Sequence, residues 1–182
     1  MNRKPTKQEI QAAAGKTVRD VIAPNLKVLF VGINPGLYTA AIGHHFGRPG
    51  NRFWPAIYKA GFTPRLLSPY EETELLEFGY GITNIVARAT TGANELSKKE
   101  LIEGGRLLEE KVHTYRPRLL AVLGVSAYRH AFNHPDAVVG KQTEMIANTP
   151  VWVLPNPSGL NAHYNLDNLA DVYREVRIAG DG

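Results

Sequence analysis

Two loops rich in glycine, proline and asparagine hold the residue types best suited to chemistry. The first, residues 32–36 (GINPG), places Asn34 directly after an apolar run. An asparagine amide donates and accepts hydrogen bonds but is too weakly basic to take a proton, so Asn34 could orient a bound water. The neighbouring glycines allow a ligand to approach the backbone closely. Asn-Pro and Pro-Gly are also ordinary turn material at a strand end, and this alternative stays open.

The second loop, residues 155–163 (PNPSGLNAH), places Leu160 among polar residues. An exposed apolar side chain in such a loop could act as a wedge in a stack of DNA bases. A leucine folded into the protein core is the commoner arrangement, and it is the alternative here.

Residues 43–54 (GHHFGRPGNRFW) combine aromatic, basic and histidine side chains. Phe46, between polar residues and glycine, could stack on a base while the arginines hold phosphates. Phe53 and Trp54 are predicted to lie in the core. The adjacent histidines suggest a metal, but a site needs about three ligands and no acidic residue is near in sequence. We therefore predict no metal and no cofactor.

The elements that position these loops follow from the apolar pattern. Short apolar runs predict strands, and leucine-rich segments predict helices. The strands are expected at residues 26–32, 119–124 and 151–155, with a weaker candidate at 81–86. The helices are expected at residues 51–60, 97–115, 126–132 and 165–178. Alternating strands and helices predict a mostly parallel sheet covered on both faces, with both loops at one cleft beyond the carboxyl ends of the strands.

The overall composition is that of one globular domain. The chain has 182 residues, no cysteine, a formal charge of +4 and 21% charged residues. The absence of cysteine excludes disulfides, thiolate nucleophiles and iron–sulfur clusters. The positive charge weakly favours a polyanionic partner. We expect a flexible basic arm or short helix at residues 1–19 and a single domain at 20–182. We also expect no membrane partner and a cytoplasmic location, because the sequence shows neither a spanning segment nor a secretory signal.

Seven short segments, in order along residues 21–178, resemble the mismatch-specific uracil-DNA glycosylases and the related thymine-DNA glycosylases. These segments are GINPGL (32–37), NRFW (51–54), YKAGF (58–62), GITN (81–84), GGR (104–106), GKQT (140–143) and WVLPNPSGL (152–160). The resemblance implies a three-layer α/β/α sandwich. It also implies a monomeric, monofunctional repair enzyme that excises uracil from U·G mismatches in double-stranded DNA and associates with the nucleoid.

The resemblance also assigns roles to individual residues. Asn34 matches the asparagine that positions the attacking water, Phe46 the aromatic that stacks on the flipped base, and Asn84 a polar residue near the pyrimidine. The other residues expected at the base are Ile33, Tyr38 and Thr39. The residues expected to contact the duplex are Asn156, Ser158, Gly159, Leu160 and Asn161. Ala162 stands where relatives often carry an arginine facing the opposite strand, so this position does not predict a strict preference for guanine.

Two other classes of protein stay open on the sequence alone. One is a non-catalytic nucleic-acid-binding module on the same scaffold, and the other is a histidine-dependent metal hydrolase. A second catalytic group in residues 88–95 also stays open. Asn94 and Glu95 are its candidates, although Glu95 is also suited to cap the following helix.

Overall fold

The computed structural model describes residues 2–182, and within them five strands form one sheet in the order β2-β1-β3-β5-β4. The strands are β1 (Val28–Gly32), β2 (Tyr80–Asn84), β3 (Leu120–Leu123), β4 (Gly140–Ile146) and β5 (Thr149–Leu154). The α-helices are α1 (Lys7–Ala12), α2 (Leu37–Ile42), α3 (Phe53–Lys59), α4 (Lys98–Tyr115), α5 (Val125–Ala131) and α6 (Leu166–Gly180). Two 3₁₀ helices lie at Pro69–Phe78 and Ala93–Glu95.

The predicted α/β sandwich with a mostly parallel sheet is confirmed. Strands β2, β1, β3 and β5 are parallel, and β4 pairs antiparallel with β5 at one edge. Successive residues of β1 point to opposite faces, as the period of a strand requires. Val28 and Phe30 pack with α3 and α6, whereas Leu29 and Val31 pack with α4 and α5. Both faces of the sheet are therefore covered.

The helix ends follow their sequence signals. Ser97 Oγ accepts a hydrogen bond from Glu100 N, and the Glu100 carboxylate accepts one from Ser97 N, which is the predicted capping box of α4. After α3, Gly61 has a φ of 90°, a left-handed conformation suited to glycine at a helix end. None of the helices within residues 2–182 is long and apolar enough to cross a membrane.

Within residues 2–19, the segment predicted to be an arm or short helix, the structure has the short helix α1 and two buried side chains, Ala13 and Val18. Helix α1 begins with a complete capping box at Thr6 and Glu9. Ala13 is fully buried and clusters with Val18 and Ala89. Ala13 and Val18 thus pack against the domain, although the segment as a whole is polar.

Candidate active site

A cleft of about 250 Å³ opens at the carboxyl ends of the parallel strands. The loops after β1 and β5 both line it, together with Asn84 at the end of β2 and residues 90–93. Asn84 is the register partner of Gly32, so the first two strands end side by side. The predicted site residues that line the cleft are Ile33, Asn34, Thr39, Phe46, Asn84, Asn156, Ser158 and Leu160. Tyr38, Gly159 and Asn161 do not line it.

The Asn34 amide is held in one orientation by the loop that follows β2. Its Nδ2 donates to Arg88 O at 3.0 Å and to Thr90 Oγ1 at 2.8 Å. A carbonyl oxygen can only accept, so the nitrogen must face Arg88. Oδ1 is therefore the Asn34 atom available to a water or ligand in the cleft, and it can accept a hydrogen bond.

Gly32 makes room between the two groups expected around a pyrimidine. A methyl group on Gly32 would lie 2.5 Å from Asn84 Oδ1 and 3.4 Å from Phe46 Cζ. The first distance is far below an ordinary contact, so only glycine lets the Asn84 amide reach this position. An amide with both donors and acceptors and an aromatic ring thus share the floor of the cleft.

Phe46 is supported from beneath by the core. Its ring stacks on Phe53 with centroids 4.1 Å apart and an interplanar angle of 26°. Its φ of 52° is left-handed, a conformation that is uncommon for a residue with a side chain. Because one face rests on Phe53, the other face is the one that can receive a planar base.

A buried carboxylate that lies far away in sequence anchors this loop. Glu72 accepts hydrogen bonds from the backbone N–H of His45 at 2.7 Å, and it lies 3.2 Å from His44 Nδ1. His45 Nε2 donates to Arg19 O at 2.8 Å, and Trp54 Nε1 donates to His45 O at 3.0 Å. Burial lowers the pKa of His45, and the nearby Glu72 partly counteracts this effect. His45 is therefore a neutral, structural side chain in the wall of the cleft.

The two histidines do not form a metal site with Glu72. Within residues 2–182 there is no group of three or more His, Cys, Asp or Glu residues arranged to hold a metal ion. The contacts of Glu72 with the His45 amide and the His44 ring are those of a loop anchor.

The loop after β5 (residues 155–163, hereafter the wedge loop) projects its only large apolar side chain into solvent. Leu160 is 80% exposed, so the alternative of a leucine in the core is wrong. The loop is closed by local hydrogen bonds: Asn156 Oδ1 accepts from Ser158 N at 2.9 Å, and Ser158 Oγ accepts from Leu160 N at 3.2 Å. Gly159 packs against residue 50, where a methyl group would lie 2.7 Å from the Gly50 carbonyl oxygen.

The loop at residues 88–95 contributes hydroxyls rather than a carboxylate. Thr90, Thr91, Gly92 and Ala93 line the cleft, whereas Asn94 and Glu95 do not. The Glu95 side chain accepts a hydrogen bond from Gly92 N at 3.0 Å and caps the short 3₁₀ helix. Sequence patterns missed Thr90, because nothing local to it indicates a contact with Asn34.

The described residues that line the cleft include no aspartate and no glutamate, and its ionisable side chains are His45 and Arg48. The described lining thus has no carboxylate that could take a proton from water, and it has one cationic side chain, Arg48. This environment suits a reaction in which negative charge develops on the bound molecule and the water needs little activation.

The fold and the site define an α/β protein with a cleft at the strand ends that is lined by amides and an aromatic ring. Residues 19–177 match the Uracil DNA glycosylase superfamily. Since the match spans most of the chain, the chain belongs to this superfamily, whose members are DNA glycosylases. Its structure is also similar to the solution NMR structure of a candidate uracil DNA glycosylase from Methanosarcina acetivorans, with a TM-score of 0.61. That match covers 90% of this chain and 98% of the other at 16% identity, which shows a shared fold.

Proposed function

We propose that this protein is a monofunctional glycosylase that excises uracil from U·G mismatches in double-stranded DNA. The observation that carries the proposal is the Asn34 amide, whose nitrogen is tied to Arg88 O and Thr90 Oγ1 so that Oδ1 is left for a water. It lines a cleft with no carboxylate among the described residues. Membership of the superfamily supplies the class of reaction.

A base inside a duplex is out of reach of this cleft, so the uracil must be flipped out first. A U·G wobble pair opens at lower cost than a matched pair, which favours mismatches. Leu160, exposed at the tip of the wedge loop, fills the vacated space and offsets part of the unstacking cost. The flipped base then stacks on the free face of Phe46 with its edge at Asn84.

The bond between the base N1 and the sugar C1′ breaks with its electron pair leaving on uracil. Backbone N–H groups near Ile33 and Phe46 stabilise this developing anion as an oxyanion hole would. The sugar is left with positive charge and is captured at C1′ by the water that Asn34 Oδ1 orients, and the proton that this water loses neutralises the uracil anion, directly or through solvent. Such a cation needs no strong base to activate its nucleophile, although the rate is expected to stay below that of an aspartate-based enzyme.

We expect uracil to be the first substrate of this cleft. Thr39 lies in its wall, and its hydroxyl accepts a hydrogen bond from Gly47 N at 3.1 Å, which holds the side chain in place. A pyrimidine with a 5-substituent must fit against this wall. Thymine carries a 5-methyl group that uracil lacks, so its excision would test how much room the cleft has. We propose that the enzyme acts as a monomer on chromosomal DNA in the cytoplasm.

The decisive experiment incubates the protein with a U·G oligonucleotide duplex in the presence of EDTA. We expect free uracil and an intact strand that carries an abasic site. The Asn34→Ala variant should lose most of this activity, whereas the same change at exposed Asn94, outside the cleft, should retain it.

Three other outcomes would contradict the proposal. Binding of the duplex without release of uracil would indicate a binding module, and loss of activity in EDTA would indicate a metal hydrolase. Scission of the strand would indicate a lyase. A parallel U·A duplex, cut more slowly than U·G, tests the mismatch preference.

A further inference from the structure

Arg52, the residue just before α3, lies under the wedge loop and reaches it with both terminal nitrogens of its guanidinium group. Nη2 donates to Ser158 O at 2.6 Å and to Asn161 O at 3.1 Å, and Nη1 donates to Tyr164 O. The Arg52 backbone N–H donates to Pro157 O at 3.0 Å. One residue thus holds four carbonyls between residues 157 and 164, three in the wedge loop and one just after it.

A guanidinium is suited to paired hydrogen bonds with a carboxylate or phosphate, and Arg52 has neither partner among residues 2–182. All the acceptors of its side chain are neutral carbonyls. Nε is buried and has no hydrogen-bond partner within residues 2–182. Removing a guanidinium from water is costly, and here the cost is offset only while the loop keeps its carbonyls turned inward. The charge of Arg52 and the shape of the loop are therefore coupled.

The start of the loop is fixed separately. Tyr173, fully buried on α6, donates a hydrogen bond from its hydroxyl to Pro155 O at 3.1 Å. With Pro155 held from α6 and residues 157–164 held by Arg52, the loop backbone has support on its inner side while Leu160 points outward. Its shape is thus set before any DNA arrives.

We propose that Arg52 is a positioning residue that preorders the wedge loop, so that Leu160 enters the duplex without a separate ordering cost. This inference rests on the proposed function of Leu160 as a wedge. Preorganisation of a loop raises affinity chiefly by reducing what binding must order. Because Nη1 and Nη2 donate to carbonyls inside the protein and Nε is buried, Arg52 acts through Leu160 and makes no phosphate contact.

The test is a double-mutant cycle on affinity for a duplex that carries a tetrahydrofuran abasic-site analogue opposite guanine. The Arg52→Lys variant keeps the charge but cannot span three carbonyls. We expect it to bind about 10- to 100-fold more weakly than the wild type. In a Leu160→Ala background the same change should weaken binding less than about threefold, because coupled residues are not additive. Arg106→Lys, on the exposed surface of α4, is the matched control and should bind as the wild type does.

Two results would overturn the inference. The first is additivity of the two substitutions. The second is a salt dependence of binding whose log–log slope drops by about 0.9 in Arg52→Lys, which would indicate a lost phosphate contact.

A measurement on the wild type keeps the test valid even if Arg52→Lys fails to fold. Amide hydrogen exchange of residues 156–164 should be slow in the free protein and change little on DNA binding. Fast exchange that becomes slow only with DNA would contradict preordering. These readouts are separate from catalysis: a wild type that binds this duplex but releases no uracil would refute the proposed function and leave the cycle interpretable.

Discussion

Thr90 Oγ1 lies 2.8 Å from Asn34 Nδ2 and donates its own proton to Gly92 O, also at 2.8 Å. A hydroxyl has one proton, so the bond to Gly92 makes the Thr90 oxygen an acceptor toward Asn34. The hydrogen bonds from Asn34 to Thr90 and from Thr90 to Gly92 therefore run in one direction, which leaves Oδ1 of the Asn34 amide for water. An asparagine with the opposite orientation would present a donor, which repels the positive side of a water instead of accepting from it.

The first prediction concerns Thr90. Valine has nearly the same shape but no acceptor, so in Thr90→Val the Asn34 amide loses the shortest of its three hydrogen bonds and keeps those to Arg88 O and Pro35 O. We expect the single-turnover rate of uracil release to fall about 10- to 100-fold, the effect of a small misplacement of a reacting group. Affinity for DNA should be unchanged, and Thr90→Ser should keep most of the rate. A valine variant as fast as the wild type would mean that the orientation is set elsewhere.

Gly32 offers a test of the cleft floor. Alanine at this position is compatible with the backbone, which is outside the left-handed region, but its methyl group would collide with Asn84 Oδ1 at 2.5 Å. Displacing Asn84 removes one hydrogen bond to the base, worth about 1 kcal/mol, so KM for a U·G duplex should rise several-fold. Steady-state kinetics with circular dichroism as a check on folding would measure this. An unchanged KM in the folded variant would remove Asn84 from the base site.

Leu160 should matter for DNA and not for folding. Its side chain is 80% exposed, so Leu160→Ala removes almost no buried contact. The free energy of unfolding should stay within about 0.5 kcal/mol of the wild type, while excision from a U·G duplex at low enzyme concentration falls. Leu169, fully buried on α6, provides the contrast, since its truncation should cost about 2–5 kcal/mol.

Acid sensitivity should arise from His45. Burial lowers the pKa of its imidazole below the ordinary value of 6.5, so below that pH the unfolded chain binds a proton that the folded protein excludes. Stability is therefore lost as the pH falls from 6.5 toward the lower folded value, by at most about 1.4 kcal/mol per pH unit. The carboxyl groups of Glu9 and Glu100, whose pKa values lie at about 2, act only at lower pH.

Guanidinium unfolding at pH 7.5 and 5.5 measures this effect. His45→Gln, which keeps an N–H for Arg19 O, should reduce the difference between the two pH values. His130→Gln, at an exposed position on α5, should leave it as in the wild type. Equal differences in all three proteins would assign the acid sensitivity to another group.

The hairpin between β4 and β5 contains a correctable strain. Ala147 and Asn148 have φ angles of 47° and 67° and are the two central residues of a tight hairpin turn. Such a turn needs positive φ at both positions, which asparagine and glycine adopt more readily than alanine. Ala147→Gly should raise the free energy of unfolding by a few tenths to about 1 kcal/mol. Asn148→Gly should gain less, since asparagine tolerates this conformation. A loss of stability in Ala147→Gly would contradict the strain.

Local patterns were sufficient for the elements whose residues repeat with a clear period. The four parallel strands and helices α3 to α6 were expected within a few residues, because each buries a continuous apolar face. Edge strand β4 was missed because most of its side chains are exposed and no alternation marks it. Helix α2 was missed because it has only six residues and no side-chain cap.

Site residues were predictable from the sequence only where the residues next to them in the same loop mark them as unusual. Asn34, Phe46 and Leu160 stand out in their own segments. Glu72, Thr90 and Arg52 act on those three through contacts between distant parts of the chain, and a single sequence contains no signal for such pairs. The orientation of an amide and the support of a loop are therefore structural findings.

The place of β5 in the sheet has a consequence for how the molecule is assembled. Strand β4 precedes β5 along the chain, yet β5 lies between β3 and β4. The two strands can pair first as a hairpin through their tight turn and then add to β3 as a unit. Only that last step brings residues 156–160 beside Asn34, more than 120 positions earlier in the sequence. A chain still emerging from the ribosome has the Asn34 loop without residues 156–160 beside it. We therefore expect glycosylase activity to appear only after β5 has joined the sheet.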